Sequence, residues 1–400
     1  MLGQKADVCL PLSVIIELGK LQKSRAYDMA YTANDALDII EELRADHDKF
    51  NGGVKIKNTN HILFVSTPLK YADIYHAHVD GKSSIHAQII GIGADLQRTY
   101  RKVVLISKDK ALRLLAAASN IDAEDYKNDM VQCYQGIEKV DDMLAVDQLT
   151  ETQKIANRIF LCQNSDQNIQ FYRDGQLEFI QRRHIKGFDI KPKNNEQVAA
   201  FWALFDPSIK FVSLQGKAGA GKTLLSLFAG IKQVLDDNNS YEKIIITRAM
   251  VPIDGEDLGA LPGSAEEKIS PYMDGVWDNL SIIQRSREGK NKTKEKDLKE
   301  YIEAIPFSLM RGKSISNTWV IIDEAQNISK HAMKMLLTRI DDSSKVIIMG
   351  DNDQIDHPFL DARSNGFVQA INLFKNHNQA AHITLYANER GKISEFASKM

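Results

Sequence analysis

Apolar residues along the chain fall into short runs that alternate with longer stretches in which apolar positions recur at helical spacing. Short apolar runs are typical of buried parallel strands, and the spacing in the longer stretches predicts amphipathic helices. The clearest strand-like runs lie at 212–215, 243–247, 318–322 and 345–349, and a helical pattern at 224–235 follows the first of them. This alternation predicts an α/β fold for the second half of the chain.

The first part of the chain shows the same alternation on a smaller scale. A strand-like start near Val8 passes through Pro11 into a helical stretch. Further helices are predicted at 26–44 and 85–96, and strands at 54–57, 61–65 and 102–107. We therefore predict a small α/β domain over 1–134, in which carboxylates at strand ends and helix starts converge at one edge of the sheet.

The segment 135–192 is predicted to be a linker with a small β module, and 193–400 to be the main α/β domain. Strand-like runs at 160–163, 167–172 and 176–181 surround Asp174-Gly175, a dipeptide typical of hairpin turns. A basic cluster lies beside Phe179 and Phe188 and consists of Arg182, Arg183, His184 and Lys186. The cluster suits either contacts with RNA phosphates and bases or a solvated linker face, and we favour the second interpretation, because a run of charge is usually a solvated surface.

Length and composition indicate a soluble protein of two or three domains. The 400 residues are 43% hydrophobic and 26% charged, and 51 basic against 53 acidic side chains give a formal net charge of −2. This charge neither supports nor excludes a nucleic-acid partner. The three cysteines have no metal-ligand spacing, no signal-peptide pattern is present, and no apolar run approaches the ~18 residues that span a bilayer. We expect a cytoplasmic protein without a membrane partner.

The range Gly216–Thr223 reads G-x-x-x-x-G-K-T and lies between a strand-like run and a helical pattern, which is the arrangement of a phosphate-binding loop. Glycines let the backbone surround an anion, and the N–H groups at the following helix start point toward phosphate oxygens. Lys222 is predicted to reach the β- and γ-phosphates and Thr223 to place a hydroxyl on Mg²⁺. The predicted nucleotide contacts are Gly216, Ala218, Gly219, Ala220, Gly221, Lys222 and Thr223, with ATP and Mg²⁺ as cofactors.

Further site residues follow other predicted strands or begin the helix before the loop. Asp323 is predicted to bind the Mg²⁺ of MgATP, and Glu324 to polarise the attacking water. Arg248 ends the strand at 243–247, where it can contact phosphate of the nucleotide or of RNA. Gln197 is predicted to pair with adenine through its amide, although helix capping by Asn194 or Asn195 is the alternative reading of this segment.

The run Gly350–Gln354 resembles the motif with which superfamily 1 helicases sense the γ-phosphate, which implies that the Gln354 amide bonds that phosphate. Arg390, in Asn388-Glu389-Arg390, is predicted to neutralise charge in the transition state. Arg311 and Lys313 are left open as contacts to RNA or to a neighbouring subunit's nucleotide. Arg339 is equally plausible as an inter-subunit arginine.

Longer motifs in 194–400 resemble the PhoH-like family. They are Arg248–Pro252, Asp257–Ser264, Trp277–Leu280, Met310–Ser314, Asp323–Asn327 and Gln354–Asp361. The resemblance implies a P-loop NTPase core related to superfamily 1 helicases, a ring-shaped homo-oligomer such as a hexamer, and an RNA substrate. In the subgroup in which a PIN domain precedes this core, it implies RNA unwinding coupled to cleavage.

The range 7–134 resembles a PIN domain, the fold of metal-dependent ribonucleases, through Pro11–Leu18 and the later 103–126. Four acidic residues in that family hold Mg²⁺ or Mn²⁺. Glu17 and Asp109 match its second and fourth positions, His86 stands at the third, and Asp125 or Asp129 lies nearby. The strand that carries the first acid is missing, so we expect an N-terminally truncated PIN-like domain with impaired nuclease chemistry.

The leading hypothesis is Mg²⁺-dependent ATP hydrolysis that drives RNA unwinding or translocation. One alternative is a nucleotide-switched RNA-binding oligomer that does not unwind. A second alternative is a complete helicase–ribonuclease, if an upstream start restores the first strand of the PIN-like domain.

Overall fold

The computed structural model describes residues 7–23, 27–44, 53–56, 61–66, 85–126, 133–164, 169–185, 188–235, 240–248, 265–287, 298–310, 313–357, 360–387 and 389. The chain divides into two compact units, Met1–Asp129 and Met130–Met400. The boundaries predicted at 134/135 and 192/193 stay predictions.

The first unit is a small α/β arrangement. Its elements are β1 (Val8–Pro11), α1 (Leu12–Leu21), α2 (Tyr27–Arg44), β2 (Val54–Lys55), β3 (Ile62–Ser66), α3 (Ile85–Thr99), β4 (Val104–Ile106), α4 (Lys110–Ala118) and β5 (Asp122–Glu124). One sheet has the order β1-β3-β2, with β1 parallel to β3, and β4 pairs separately with β5. Buried residues of α3, α4 and the turn before β5 form the described core: Ile89, Ile90, Leu112, Ala116 and Ile121.

The second unit begins with a four-stranded sheet of order β6-β7-β8-β9. The strands are β6 (Ile137–Val140), β7 (Arg158–Cys162), β8 (Ile169–Arg173) and β9 (Gln176–Phe179). The turn between β8 and β9 has positive φ at both central residues, 48° at Asp174 and 82° at Gly175. Two consecutive positive φ values match the twist of a two-residue hairpin, so the Asp-Gly turn is confirmed.

The largest sheet of the described residues has six strands, all parallel, in the order β12-β11-β13-β14-β10-β15. They are β10 (Phe211–Gly216), β11 (Lys243–Arg248), β12 (Ile302–Ala304), β13 (Thr318–Asp323), β14 (Lys345–Gly350) and β15 (Ala380–Leu385). The α-helices in the described part of this unit are α5 (Asn195–Phe205), α6 (Lys222–Leu235), α7 (Ala265–Arg287), α8 (Lys330–Leu337) and α9 (Gly366–Phe374).

Helices cover both faces of this sheet, which explains why its strands are continuous apolar runs. Successive residues of one strand alternate between two cores: Trp319 and Ile321 of β13 pack with α5, α6 and α7, whereas Val320 and Ile322 pack with α8 and α9. Strands β13, β14 and β15 have six residues each, and every one of these residues is buried. The α/β architecture predicted from the apolar pattern is confirmed.

The register of the six strands brings their carboxyl ends to one edge. Gly216 pairs with Leu385, Gln215 with Gly350, and Arg248 with Asp323. Strand β10 lies between β14 and β15, where the order of connections reverses, and ligands of open α/β sheets bind outside the strand ends at such a point.

Within the described residues, no helix combines the length and the apolar character that crossing a membrane would require.

Candidate nucleotide site

The loop after β10 has the backbone of a phosphate cradle. Gly219 and Gly221 have φ of 89° and 93°, which residues with a Cβ rarely adopt. A Cβ on Gly216 would lie 2.7 Å from the carbonyl oxygen of Leu385. The glycines of the motif are thus required by conformation and by close backbone approach, and α6 begins immediately afterwards at Lys222.

Lys222 lies at the mouth of this cradle. Its ammonium donates hydrogen bonds to the carbonyl oxygens of Gly216 and Lys217. Thr223 is partly buried in the first turn of α6. An ammonium and a hydroxyl therefore lie in the first turn of one helix, the end of a helix that favours bound anions.

The paired acids follow β13 beside the loop. Asp323 is 7% exposed, and burial, reinforced by the neighbouring Glu324 carboxylate, raises its pKa to about 6 against the opposing charges of Arg248 and Lys222. Glu324 has a φ of 51°, a left-handed conformation that is costly for a residue with a side chain. Strain of this kind is typical of residues that the surrounding structure holds in a functional orientation.

The Glu324 carboxylate is held on both oxygens. Oε1 accepts a hydrogen bond from Arg248 Nη2 at 3.2 Å, and Oε2 accepts one from Gln326 Nε2 at 2.6 Å. In this structure Arg248 thus contacts the predicted water-polarising acid, and its predicted phosphate contact stays a prediction.

Gln326 is a buried connector that sequence reasoning did not single out. Its Nε2 also donates to the Gln354 carbonyl oxygen at 2.8 Å, and its Oε1 accepts from the Asp351 N–H at 3.1 Å. The side chain is fully buried. It joins the residues after β13 to those after β14, and the only available signal was its place in the D-E-A-Q run.

Gln354 lies in the turn after β14, with an exposed side chain. Its N–H donates to the Asp351 carbonyl oxygen at 3.1 Å. The structure therefore places Gln354 at the same sheet edge as the phosphate loop, and its contact with the γ-phosphate stays a prediction.

The first turn of α5 packs behind the loop. Asn194 caps the helix, because its Oδ1 accepts the Gln197 N–H at 2.9 Å. The Gln197 side chain is 5% exposed and bonds the Ala220 carbonyl oxygen at 3.1 Å and the Lys193 N–H at 2.8 Å. Its amide supports the loop backbone here, and adenine binding by Gln197 stays a prediction.

The segment after β15 runs beside the loop. The Glu389 N–H donates to the Gly219 carbonyl oxygen at 3.1 Å. Glu196, which sequence reasoning also did not single out, is 7% exposed and accepts the N–H groups of Tyr386 at 2.7 Å and Ala387 at 3.3 Å. Arg390 lies outside the described residues, and its role in the transition state stays a prediction.

The structure says less about the basic residues whose contacts the sequence did not decide. Lys313 is exposed and pairs with Glu303 at 3.3 Å, Arg339 is exposed, and Arg311 lies outside the described residues. Of the basic cluster, the Arg182 guanidinium donates to Asn195 Oδ1, while Lys186 lies outside the described residues.

The residues at this edge fit a nucleotide with Mg²⁺. Asp323 and Thr223 offer the hard oxygen donors that Mg²⁺ prefers, and the cradle admits no side chain at Gly216. Mg²⁺ needs few protein ligands when phosphates supply others, so this donor set is sufficient.

The predicted acids of the first unit have other partners. Glu17 pairs with Lys20, and Asp125 Oδ1 lies 3.5 Å from Arg113 Nη1. Asp109 caps α4 by accepting the Leu112 N–H at 3.0 Å, a bond that lowers its pKa, and its Oδ2 lies 3.0 Å from Nε2 of His86.

Across the described part of the chain, no three His, Cys, Asp or Glu residues gather as metal ligands, and Asp129 lies outside that part. The binding of Mg²⁺ or Mn²⁺ by the acids of this unit stays a prediction.

Comparison with known proteins gives two family matches. The model described as "PhoH-like protein" matches residues 189–395, and the model described as "PIN domain" matches residues 2–127. "Protein PhoH2" of Bacillus subtilis is 33% identical over 349 residues, covering 78% of this chain and 76% of that protein. "Protein PhoH2" of Thermobispora bispora is 29% identical and covers 98% of this chain and 91% of that protein. A "PhoH-like protein" of Bacillus subtilis is 41% identical over 197 residues, covering 48% of this chain and 59% of that protein.

Proposed function

The chain belongs to the PhoH-like protein family, with a PIN domain ahead of its P-loop ATPase core, and from this premise we propose that it hydrolyses ATP with Mg²⁺ to unwind RNA or move along it. The main support for the proposal is that four strands end side by side at the carboxyl edge of the six-stranded sheet. There the phosphate loop, Asp323 with Glu324, Arg248 and the Gly350–Gln354 turn lie together.

The proposed reaction assigns a task to each group. The loop N–H groups and the Lys222 ammonium bind the β- and γ-phosphates, and Thr223 and Asp323 hold Mg²⁺, which supplies positive charge to the phosphate oxygens. Glu324 accepts a hydrogen bond from the attacking water. Arg248 and Gln326 keep the Glu324 carboxylate in one orientation, so little reorganisation is needed when the water attacks.

The proposal extends to RNA, to a hexameric ring and to a cytoplasmic location. It is supported by the resemblance of the motifs in 194–400 to PhoH-like proteins and of the Gly350–Gln354 turn to superfamily 1 helicases. Gln326 bonds both Glu324 and the Gly350–Gln354 turn. A change at Glu324 on ATP hydrolysis can therefore alter the position of the segment after β14.

Two substitutions test the ATPase. Lys222→Ala removes the ammonium that is proposed to bind the β- and γ-phosphates, so we expect loss of ATP binding. Glu324→Gln is expected to bind ATP and nearly stop turnover, a loss of about 10²-fold or more, because an amide cannot take the proton of water. Lys217→Ala, an exposed lysine of the same loop, serves as the matched control. Unchanged ATP hydrolysis in both Lys222→Ala and Glu324→Gln would contradict the proposed ATPase activity.

Two measurements test the proposed action on RNA: the ATP turnover rate with and without single-stranded RNA, and strand displacement from a labelled RNA duplex. We expect RNA to stimulate turnover and a labelled strand to be released. Stimulated turnover without release would favour a nucleotide-switched RNA-binding oligomer instead.

For the first unit we propose impaired ribonuclease chemistry, supported by the contacts of Asp109 with His86 and of Asp125 with Arg113. Purified protein is expected to cleave RNA weakly with Mn²⁺. Robust cleavage that disappears in Glu17→Gln or Asp109→Asn would show that the site is intact.

A further inference from the structure

Asp351 presents a buried carboxylate oxygen to which neither the motif analysis nor the proposed reaction gives a task. The residue is 6% exposed and follows Gly350, which pairs with Gln215 of the strand that enters the phosphate loop. Its Oδ1 accepts the Asp353 N–H at 3.0 Å, and its own N–H donates to Gln326. Within the described structure, Oδ2 is buried and has no hydrogen-bond partner.

A role in the local turn does not account for this arrangement. Capping the turn uses Oδ1 alone, whereas a buried carboxylate oxygen without a partner is unfavourable. Asparagine would cap the turn equally well without a buried charge. The carboxylate therefore indicates a partner that carries positive charge or donates a hydrogen bond.

The surrounding charges place that partner at the nucleotide. Burial raises the pKa of Asp351, while the Lys222 ammonium opposes this and the Glu324 carboxylate adds to it. Asp351 thus lies among the groups assigned to the phosphates and to the attacking water. An additional negative charge here repels the phosphates of a bare triphosphate, and the positive charge of a bound Mg²⁺ would offset that repulsion.

We propose, on the basis of the proposed ATPase function, that Oδ2 of Asp351 accepts a hydrogen bond from a water molecule held by Mg²⁺. Mg²⁺ in nucleotide sites keeps several of its waters, and carboxylates that bond metal-held ligands are a common means of tuning a metal site. Asp351 is then a positioning residue that makes tight nucleotide binding depend on Mg²⁺.

The test is the affinity of the full chain for a fluorescent, non-hydrolysable ATP analogue, measured once with Mg²⁺ and once with EDTA. The dissociation constant with EDTA divided by the dissociation constant with Mg²⁺ gives the factor by which Mg²⁺ tightens nucleotide binding. Asp351→Asn is expected to lower this ratio by about tenfold, because a neutral amide accepts the hydrogen bond of a metal-held water more weakly than a carboxylate does. Metal-free binding is expected to stay equal or become tighter, because a repelling charge is gone.

Asp353→Asn is the matched control, because it removes the same charge from an exposed neighbour in the same turn. Its ratio is expected to stay within about twofold of the original, since exposed charges are screened. Each ratio compares one protein with itself, so a smaller folded fraction does not alter it. If Asp351→Asn does not fold, Asp351→Ser provides the same comparison.

An unchanged ratio in the Asp351 variant overturns the inference. If an unchanged ratio comes with an equal loss of affinity in both conditions, Asp351 serves to hold Lys222 or the turn instead. The proposed function fails separately: in that case the original protein does not bind the analogue, or Lys222→Ala binds it as well as the original does.

Discussion

At the scale of single residues, the site depends on buried and partly buried side chains, most of which have partners on other elements. Glu324 is oriented by Arg248 from β11 and by Gln326. Glu196 of α5 accepts N–H groups that follow β15. Buried polar groups are costly unless they are paired, so each of these contacts constrains the position of two elements.

Gln326→Ala tests the residue that connects the two turns. The substitution leaves the Asp351 N–H and the Gln354 carbonyl oxygen without their buried partner, so we expect a loss of about 1–3 kcal/mol in the free energy of unfolding. ATP turnover is expected to fall about tenfold, because Glu324 loses its bond from Gln326. Urea titration and steady-state kinetics measure the two effects, with Gln176→Ala on exposed β9 as control. Turnover equal to that of the control would exclude an orienting role.

The motif residues of the site could be predicted from sequence, but the connecting residues could not. Gly216–Thr223 and Asp323-Glu324 are contiguous and follow apolar runs, so their chemistry can be read locally. Gln197 shows the limit: the sequence allowed adenine pairing or capping at this helix start. The structure shows its amide bonded to the Ala220 carbonyl oxygen, a contact between α5 and the loop.

At the scale of elements, the predicted strands and helices of both units correspond closely to the observed ones. The pattern at 85–96 is α3, and 243–247 is β11. What the pattern did not indicate is that β6 reaches β15: a Cβ on Gly136, which has a φ of 72°, would lie 1.9 Å from the His382 carbonyl oxygen.

Gly136→Ala tests this approach between elements. We expect a loss of about 3 kcal/mol or more in the free energy of unfolding, because the new methyl group collides with backbone that cannot move without separating β6 from β15. Gly175→Ala is the matched control: its φ is 82°, but nothing lies within 4 Å of the added Cβ, so only backbone strain of about 1–2 kcal/mol applies. Equal losses in thermal or urea unfolding would contradict the close packing.

At the scale of the whole molecule, the chain divides at 129/130, and the β6–β9 sheet belongs to the second unit. Ile159 and Phe171 of this sheet are buried in the same core as α5 and α6. The Phe171 and Trp202 rings lie 4.3 Å apart, and Arg173 pairs with Asp206 at 2.9 Å. These contacts make the sheet a structural part of the ATPase unit.

Two truncated proteins test this organisation. Residues 130–400 are expected to be soluble, to unfold in one cooperative transition and to hydrolyse ATP. Residues 193–400 lack β6–β9 and expose the apolar surface that this sheet covers, so we expect aggregation. Calorimetry and size-exclusion chromatography compare the two. A soluble 193–400 with an unchanged Tm would support the predicted linker for 135–192.

The sequence by itself determined the α/β architecture and the chemistry of the phosphate loop. Apolar runs buried on both faces and contiguous motifs are specified by neighbouring residues, so no folded structure is needed to identify them. The tertiary structure decided which side chains meet: Gln326 joins two turns, His86 pairs with Asp109, and the β6–β9 sheet completes a core. These contacts join residues far apart in the chain, and only packing and the pairing of buried polar groups bring them together.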